Sequence, residues 1–249
     1  MKKILEIILS VVFVSMACRC IAEEKTDCES DVSYFVQKAN TLENLITKRD
    51  SSWYKNCHSE IFSVLDSLDM TPQYTISIDL PDSTGLSHIY AVNNCGEKKD
   101  DYLNYIHIKT FSESSCWQWF LLYNIKNMLP IWSNGLHKIH FEVLTNGDWP
   151  KIMSTIWPVV PDSIYENAEI EEGAISESEF QKMKATEIKP INIKIDASLK
   201  KAEISLCLWN YWSGLSYKSY FLSVKDDNTV EIDNIVSETI IEYDCGNKW

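Results

Sequence analysis

A C-terminal β-meander is predicted by residues 201–225, KAEISLCLWNYWSGLSYKSYFLSVK, where apolar and polar side chains alternate on both sides of a short loop. Alternation with a period of two is typical of strands that bury one face. The stretch therefore predicts strands at 201–209 and 216–225, joined through the loop Trp209–Gly214. Asp226-Asp227-Asn228 predicts a hairpin turn after them. The same pattern completes the meander, which covers 190–249, with strands at 191–196, 229–233 and 235–243.

Helical spacing of apolar side chains dominates the other end of the chain. It extends over 31–49 and again over 51–69, with a polar hinge at Arg49–Ser51 between the two segments. Two helices joined by so short a hinge pack side by side in opposite directions. The segment 31–69 is therefore predicted to form a helical hairpin.

The part of the chain at 74–145 mixes the two patterns. Helical spacing predicts a helix at 114–129, which Ser112 or Ser114 caps and Pro130 ends. Strand, helix and strand follow one another over 102–144, an order that predicts a crossover unit with two parallel strands. Alternation places strands at 74–80, 87–92, 102–110 and 136–144.

An acidic segment separates this part from the meander. Asp148 opens a predicted short helix at 149–157, and residues 162–179 then hold seven acidic side chains and no basic one. Such a run is typical of a solvated connection, predicted here over 162–187, although Ser178–Ala185 has the pattern of a helical turn. The predicted fold class is α+β, with the helical hairpin packed on a mostly antiparallel sheet and the β-meander following, in one domain over 23–249.

The first 22 residues, MKKILEIILSVVFVSMACRCIA, predict a signal peptide. Lys2 and Lys3 precede an apolar segment from Ile7 to Ala17, which is too short for a permanent membrane span, and Ala22 provides a small residue at the cleavage site. The segment contains three basic residues and one acidic residue, so its removal changes the net charge from −13 to −15. Charge of this sign repels nucleic acid and anionic membrane surfaces.

Export to a bacterial periplasm is the predicted destination, because the sequence contains no Asn-x-Ser/Thr glycosylation site. An alternative is processing as a lipoprotein, in which Cys18 after Ala17 is acylated and tethers the chain to a membrane. Secretion beyond the cell stays open as a third destination. No second apolar stretch is long enough to predict a transmembrane segment.

Six cysteines remain after cleavage, and an even number in an exported chain predicts disulfides. Six cysteines allow 15 connectivities. Their order along the predicted elements favours three local bridges, which pair Cys28 with Cys57, Cys95 with Cys116, and Cys207 with Cys245. A thiol metal site is disfavoured because no CxxC or CxC pair occurs in the mature chain.

Catalytic signatures are missing from the sequence. It contains no nucleophile elbow and no glycine-rich phosphate loop, so neither a catalytic residue nor a cofactor is predicted. His137 and His140 lie on a predicted strand, where their spacing directs them to opposite faces and disfavours a metal site. Glu171 and Glu172 belong to the solvated acidic run, unlike the carboxylate pair of a glycosidase. A non-enzymatic function is favoured, although an active site assembled from distant residues would leave no local signature.

Aromatic and acidic clusters supply the candidate binding residues. Exposed aromatic rings bury large areas at low entropic cost, and an acidic surface attracts cationic partners. The candidates are Tyr211, Trp212, Tyr217, Glu169, Glu171 and Glu172. The leading hypothesis is an exported binding protein, such as an inhibitor or immunity-type factor, that recognises a basic protein. The alternatives are a carbohydrate or cell-wall binding module that uses the aromatic rings, and a hydrolase with a distributed site.

The predicted export can be tested by intact mass spectrometry of the chain expressed with its N-terminal segment. We expect a product that begins at Glu23 and loses two mass units for each disulfide relative to the reduced chain. The control is the same sample after reduction and alkylation, which counts the cysteines that were oxidised. An intact N-terminus together with six free thiols would contradict both predictions.

Overall fold

The computed structural model describes residues 32–46, 53–79, 87–128, 142–143, 145, 147–156, 159–165, 174–210 and 213–243. Its helices are α1 (32–46), α2 (Trp53–Asn56), α3 (His58–Val64), α4 (Glu113–Tyr123), α5 (Ile125–Met128), α6 (Trp149–Met153), α7 (Asp162–Tyr165) and α8 (Glu177–Lys184), with a 3₁₀ turn at Tyr102–Tyr105. Its strands are β1 (Leu68–Met70), β2 (Tyr74–Asp79), β3 (His88–Asn93), β4 (Lys98–Lys99), β5 (Ile106–Ile108), β6 (Glu142–Val143), β7 (Val159–Val160), β8 (Ile175–Ser176), β9 (Asn192–Asp196), β10 (Lys201–Asn210), β11 (Gly214–Val224) and β12 (Val230–Ile241).

The C-terminal sheet confirms the predicted meander and the α+β class. Its long strands β10, β11 and β12 pair antiparallel in chain order. The other edge of β10 is shared, since β9 pairs with residues 201–205 and β6 with residues 208–209. The strands predicted at 229–233 and 235–243 are one continuous strand, β12, because a bulge at Asp233 carries the pairing across the point where the alternation changes phase.

The two faces of β10 pack against different clusters of apolar residues. Ala202, Ile204, Leu206 and Leu208 belong to a cluster that includes α1, α4 and the other sheets. Cys207 and Trp209 face the opposite side, where they join Trp149 of α6 and Met183 of α8. Strand alternation therefore divides one sheet between two cores.

The N-terminal helices form the predicted hairpin over their described residues, but the helix predicted at 51–69 is two short helices that end at Val64, and Leu68–Met70 is strand β1. The Lys38 ammonium in α1 donates to the carbonyl of Val64 at the end of α3 (2.7 Å), and the Tyr54 hydroxyl in α2 donates to the carbonyl of Ile46 (3.0 Å). These contacts join the middle of α1 to the end of α3, and the end of α1 to α2, as an antiparallel arrangement requires. α2 and α3 pack on β2, within the antiparallel sheet β2–β3–β4.

Helix α4 lies at the centre of the main core. Every residue from Ser115 to Leu122 is buried, and a capping box formed by Ser112 and Ser115 satisfies N–H groups at its first turn. The Trp117 indole N–H donates to the carbonyl of Phe35 in α1 (2.9 Å). The amide of Gln118 donates to Asp66 Oδ1 (2.8 Å) and accepts from the Ser67 N–H (2.7 Å). These bonds allow polar groups to be buried without loss of hydrogen bonding.

Two predicted features of the middle part are wrong. The crossover unit over 102–144 is not formed, because β5 pairs antiparallel with β1 and β6 pairs antiparallel with β10, in separate sheets. The strand predicted at 102–110 is confined to Ile106–Ile108. Residues Tyr102–Tyr105 form a 3₁₀ turn, which allows the Tyr102 hydroxyl to reach the carbonyl of Leu122 (3.1 Å) inside the core.

The predicted acidic connector over 162–187 contains regular structure in its described residues. Asp162–Tyr165 is helical, and β8 pairs in parallel with β7. The Ser176 hydroxyl caps α8 by accepting from the Glu179 N–H (3.2 Å), which confirms the helical turn in this segment. Met183 is buried in the second core, so α8 is held by packing as well as by its cap.

Gly214 begins β11 close to the main chain at the end of β12, and its replacement tests the packing at this point. Its φ angle is +79°, and a Cβ atom there would lie 2.0 Å from the carbonyl oxygen of Ile241. The matched control is Gly96, which has a φ angle of +80° but no atom within 4 Å of such a Cβ. We expect Gly96→Ala to lower the free energy of unfolding by about 1–2 kcal/mol and Gly214→Ala by about 4 kcal/mol or more, measured by urea denaturation. Equal losses would contradict the close approach.

Candidate functional site

One of the six predicted binding residues lies within the described part of the chain. Tyr217 is half-buried on β11, with the Lys189 ammonium 4.3 Å from the centre of its ring, and its cross-strand partner is Glu238 of β12. The other five, Tyr211, Trp212, Glu169, Glu171 and Glu172, lie outside the described residues, as do His137 and His140. Tyr217 therefore lies beside the neighbouring strand β12.

β12 is an edge strand with an open side. In the described part of the chain it pairs with β11 alone, and all its residues from 233 to 239 are exposed. The outer side is covered just before the strand begins, where Thr229 bridges to His107 of β5 and the Ile108 N–H donates to the carbonyl of Asn228 (3.0 Å). Beyond that point the edge presents main-chain groups to solvent.

Two bulges set the side chains of β12 onto its faces. Register shifts place an extra residue at Asp233 and another at Ile240. Between them the pairing is regular, from Asn234 opposite Phe221 to Thr239 opposite Ser216. Glu231 and Glu238, seven residues apart, would lie on opposite faces of a regular strand, but the bulge at Asp233 returns both to one face.

The resulting strand has an acidic face and an apolar face. Glu231, Val236 and Glu238 share the acidic face, since they lie opposite Ser223, Ser219 and Tyr217 of β11. Asp233 belongs to this face as well, because its carboxylate accepts from the Ser223 hydroxyl (2.7 Å). The opposite face carries Ile232 and Ile235, followed by Ser237 and Thr239. Ile235 and Val236 are exposed by 43% and 52%, which is unusual for large apolar side chains.

The carboxylates of the acidic face differ in whether a lysine side chain neutralises their charge. Glu231 forms an ion pair with Lys225, and Asp233 lies 3.6 Å from the Lys201 ammonium. Glu238 has no ion pair with any basic group among the described residues. The Lys189 ammonium lies over the ring of Tyr217, the cross-strand partner of Glu238, and it forms no ion pair with Glu238. The acidic face thus keeps an uncompensated carboxylate beside the open edge.

His107 forms the arrangement that most resembles a catalytic group. Its Nδ1 lies 2.9 Å from the carbonyl oxygen of Asp227 and its Nε2 lies 2.7 Å from the Thr71 hydroxyl. A carbonyl only accepts, so a neutral ring carries its proton on Nδ1 and accepts from Thr71 at Nε2. This is the geometry of a base beside a hydroxyl group, but the same bonds also tie three chain segments together.

A hydrolase needs a cavity beside such a pair. One open cavity in the described part of the chain has a volume of about 850 Å³. It is lined by the polar side of α1 together with Thr145, and neither Thr71 nor His107 borders it. Over the described ranges, no group of three or more His, Cys, Asp or Glu side chains is arranged to hold a metal ion.

Four of the six predicted disulfide cysteines are described, and no two of these four are bonded to each other in the structure. The Cys95–Cys116 bridge is not formed, because Cys116 is fully buried in α4 whereas Cys95 is exposed in the turn after β3. Burial raises the pKa of the Cys57 and Cys116 thiols to about 12, so both are protonated at neutral pH and unsuited to metal binding or nucleophilic attack. Cys28 and Cys245, the predicted partners of Cys57 and Cys207, lie outside the described residues.

Comparisons of the chain with protein-family models, with curated proteins and with solved structures find no match. No helix in the described ranges is both long and apolar enough to cross a membrane. Function must therefore be inferred from the chemistry of the chain itself.

The acidic edge was not among the predicted sites, although the sequence carries a signal for it. VEIDNIVSETII (230–241) contains three acidic residues, no basic residue, no proline and no glycine. Proline and lysine are common means of protecting an exposed edge strand, and both are absent from this terminal strand of the meander. The prediction of two separate strands hid this signal, because it placed the acidic residues Glu231 and Asp233 on a different strand from Glu238.

His58 provides a test of how the fold responds to acid. Its Nδ1 accepts from the Ile76 N–H (3.2 Å), its ring packs against Phe62, and burial lowers the pKa of its imidazole. Below about pH 6.5 an unfolded chain protonates this histidine while the folded chain resists. The unfolded state then binds more protons, so the free energy of unfolding falls as the pH decreases from 7 to 5.

We expect His58→Asn, which keeps an acceptor near the Ile76 N–H but does not titrate, to flatten this pH dependence in urea denaturation. The matched control is His88→Asn, because His88 is exposed on β3. The range stops at pH 5 to avoid carboxylates such as Asp66, whose pKa is held low by Lys38. An unchanged slope in His58→Asn would contradict the assignment.

Proposed function

We propose that this protein is an exported, non-enzymatic binding protein that captures a basic protein partner through the acidic face of β12. The observation that carries the proposal is the exposed stretch 233–239 on an open edge, with the Glu238 carboxylate free of any ion pair among the described residues. An inhibitor or immunity-type factor for a cationic protein needs this combination of solvent access and uncompensated charge.

The overall charge of the chain supports the same partner chemistry. The formal net charge, −13 for the full chain and −15 without residues 1–22, surrounds the acidic face with a field that attracts cations over distances longer than a single contact. That attraction raises the rate of encounter and falls with ionic strength, because the screening length is about 8 Å at physiological salt. One exposed ion pair stabilises a complex by about 1 kcal/mol at most, so stable capture requires several contacts at once.

Binding of carbohydrate receives less support from the described residues. Stacking on a sugar requires a free ring face. The ring of Tyr217 already has the Lys189 ammonium over one face, and the side chain is half-buried. The acidic face and the charge of the chain favour a cationic protein over a neutral glycan.

A titration with a defined cation tests the proposed function. The probe is a fluorescently labelled lysine decapeptide, whose affinity is measured by polarisation at salt concentrations from low to physiological and above. We expect affinity to fall steeply with salt, and Glu238→Gln to weaken binding about three- to fivefold, since it removes one exposed contact.

The matched control is Asp101→Asn, which removes one exposed acidic charge between β4 and the 3₁₀ turn, outside the C-terminal sheet. It should change the affinity less than Glu238→Gln. The proposal fails if the decapeptide does not bind, if binding does not depend on salt, or if the two variants weaken it equally.

A further inference from the structure

We propose that the basic partner docks by strand addition: an extended segment pairs its main chain with the outer edge of β12 over Asn234–Thr239 and lengthens the C-terminal sheet by one strand. This inference rests on the proposed function and specifies where and how the partner binds. With strand addition, the acidic surface selects a partner for its extended conformation as well as for its positive charge.

The six residues between the bulges form a regular template. Their pairing with β11 is uninterrupted from Asn234 to Thr239, a length of about 20 Å at the usual rise per strand residue. A regular edge of this length can form several main-chain hydrogen bonds with an added strand. Each bond contributes about 0.5–1.5 kcal/mol net, so a short ladder adds stability that isolated surface charges lack.

One main-chain N–H in this segment is hydrogen-bonded to a side chain and not to a neighbouring strand. The Ile235 N–H donates to the side-chain oxygen of Asn234 (2.9 Å). Since N–H groups alternate between the two sides of a strand, those of Ser237 and Thr239 point the same way as that of Ile235. We infer that these three N–H groups belong to the outer edge, where a partner strand can accept from them.

A second copy of the chain is a poor occupant for this edge. In an antiparallel pair, directly opposite residues share one face of the joint sheet. Two copies paired through β12 would therefore place both sets of Glu231, Asp233 and Glu238 on the same face. Like charges that face each other across strands are destabilising. The carboxylates therefore disfavour pairing between two copies of the chain. A strand with basic side chains pairs with the edge without this repulsion.

The two faces of β12 define the side-chain pattern of the partner. Lysine or arginine is expected on the acidic face, beside Glu238 and Asp233. Apolar side chains are expected on the opposite face, beside Ile232 and Ile235, where Lys218 lies opposite Ser237 and disfavours another cation. A segment that alternates basic and apolar residues satisfies both faces.

The test uses two decapeptides of alternating lysine and valine with identical charge. One is unmodified, and the other is N-methylated at one central lysine and one central valine, which removes an N–H from each of its edges. We expect methylation to weaken binding at least tenfold. We also expect the unmodified peptide to slow amide hydrogen exchange at Ile235, Ser237 and Thr239 in the full chain.

A protein variant supplies an independent readout. Ser237→Pro removes one N–H from the outer edge, whereas the matched control Ser237→Ala keeps it. Proline should weaken the unmodified peptide at least fivefold and alanine should leave its affinity unchanged. Ser237→Pro can also destabilise β12, so the unfolding midpoint of this variant is measured as well. If the variant does not fold, the comparison of the two decapeptides on the unaltered chain decides the outcome.

The possible outcomes separate the two proposals. If both decapeptides bind equally while Glu238→Gln weakens each of them, capture by charge is supported and strand addition is overturned. If neither the lysine–valine decapeptides nor the all-lysine decapeptide binds, the proposed function itself fails. Sedimentation that shows a dimer abolished by Ser237→Pro would overturn the choice of a basic partner and assign the edge to a second copy.

Discussion

Helix α4 is buried on every side, and this burial constrains the arrangement of the main core. Eight consecutive residues, from Ser115 to Leu122, have no face left for solvent, so their polar groups depend on partners within the protein; the Trp119 indole N–H is buried without one among the described residues. Gln118 finds its partners at Asp66 and Ser67, and Trp117 bonds to the main chain of α1. The helix therefore fixes the helical hairpin through hydrogen bonds and the C-terminal sheet through packing.

The elements of this core were largely predictable, whereas their partners were not. Periodicity is a local property, and it correctly separated the hairpin, α4 and the meander. The choice of partner for a strand depends on which apolar faces meet in three dimensions. β5 illustrates this difference: strand order predicted a parallel neighbour across α4, but Ile106 and Ile108 are buried by antiparallel pairing with Met70 and Leu68 of β1. Five of the six predicted binding residues lie outside the described part of the chain and remain predictions.

The bulge at Asp233 explains why the acidic edge was missed and also why it exists. In a regular strand, Ile232 and Ile235 would point to opposite faces, so their spacing suggested the end of one strand and the start of another. The extra residue places both on one face, with Glu231 and Glu238 together on the other. A single inserted residue thus makes one long strand of two short ones and sorts its charges from its apolar groups.

Charge and main-chain pairing contribute differently at such an edge. Exposed carboxylates act over long range but add little stability at contact, because water and salt screen them. Main-chain hydrogen bonds act only at contact and carry no information about sequence, so an edge that relied on them alone would accept any extended segment. In the proposed complex, the acidic face restricts these bonds to cationic strands and disfavours pairing with other copies of the chain. Selectivity then comes from the side chains of one face, and retention comes from the backbone that they share.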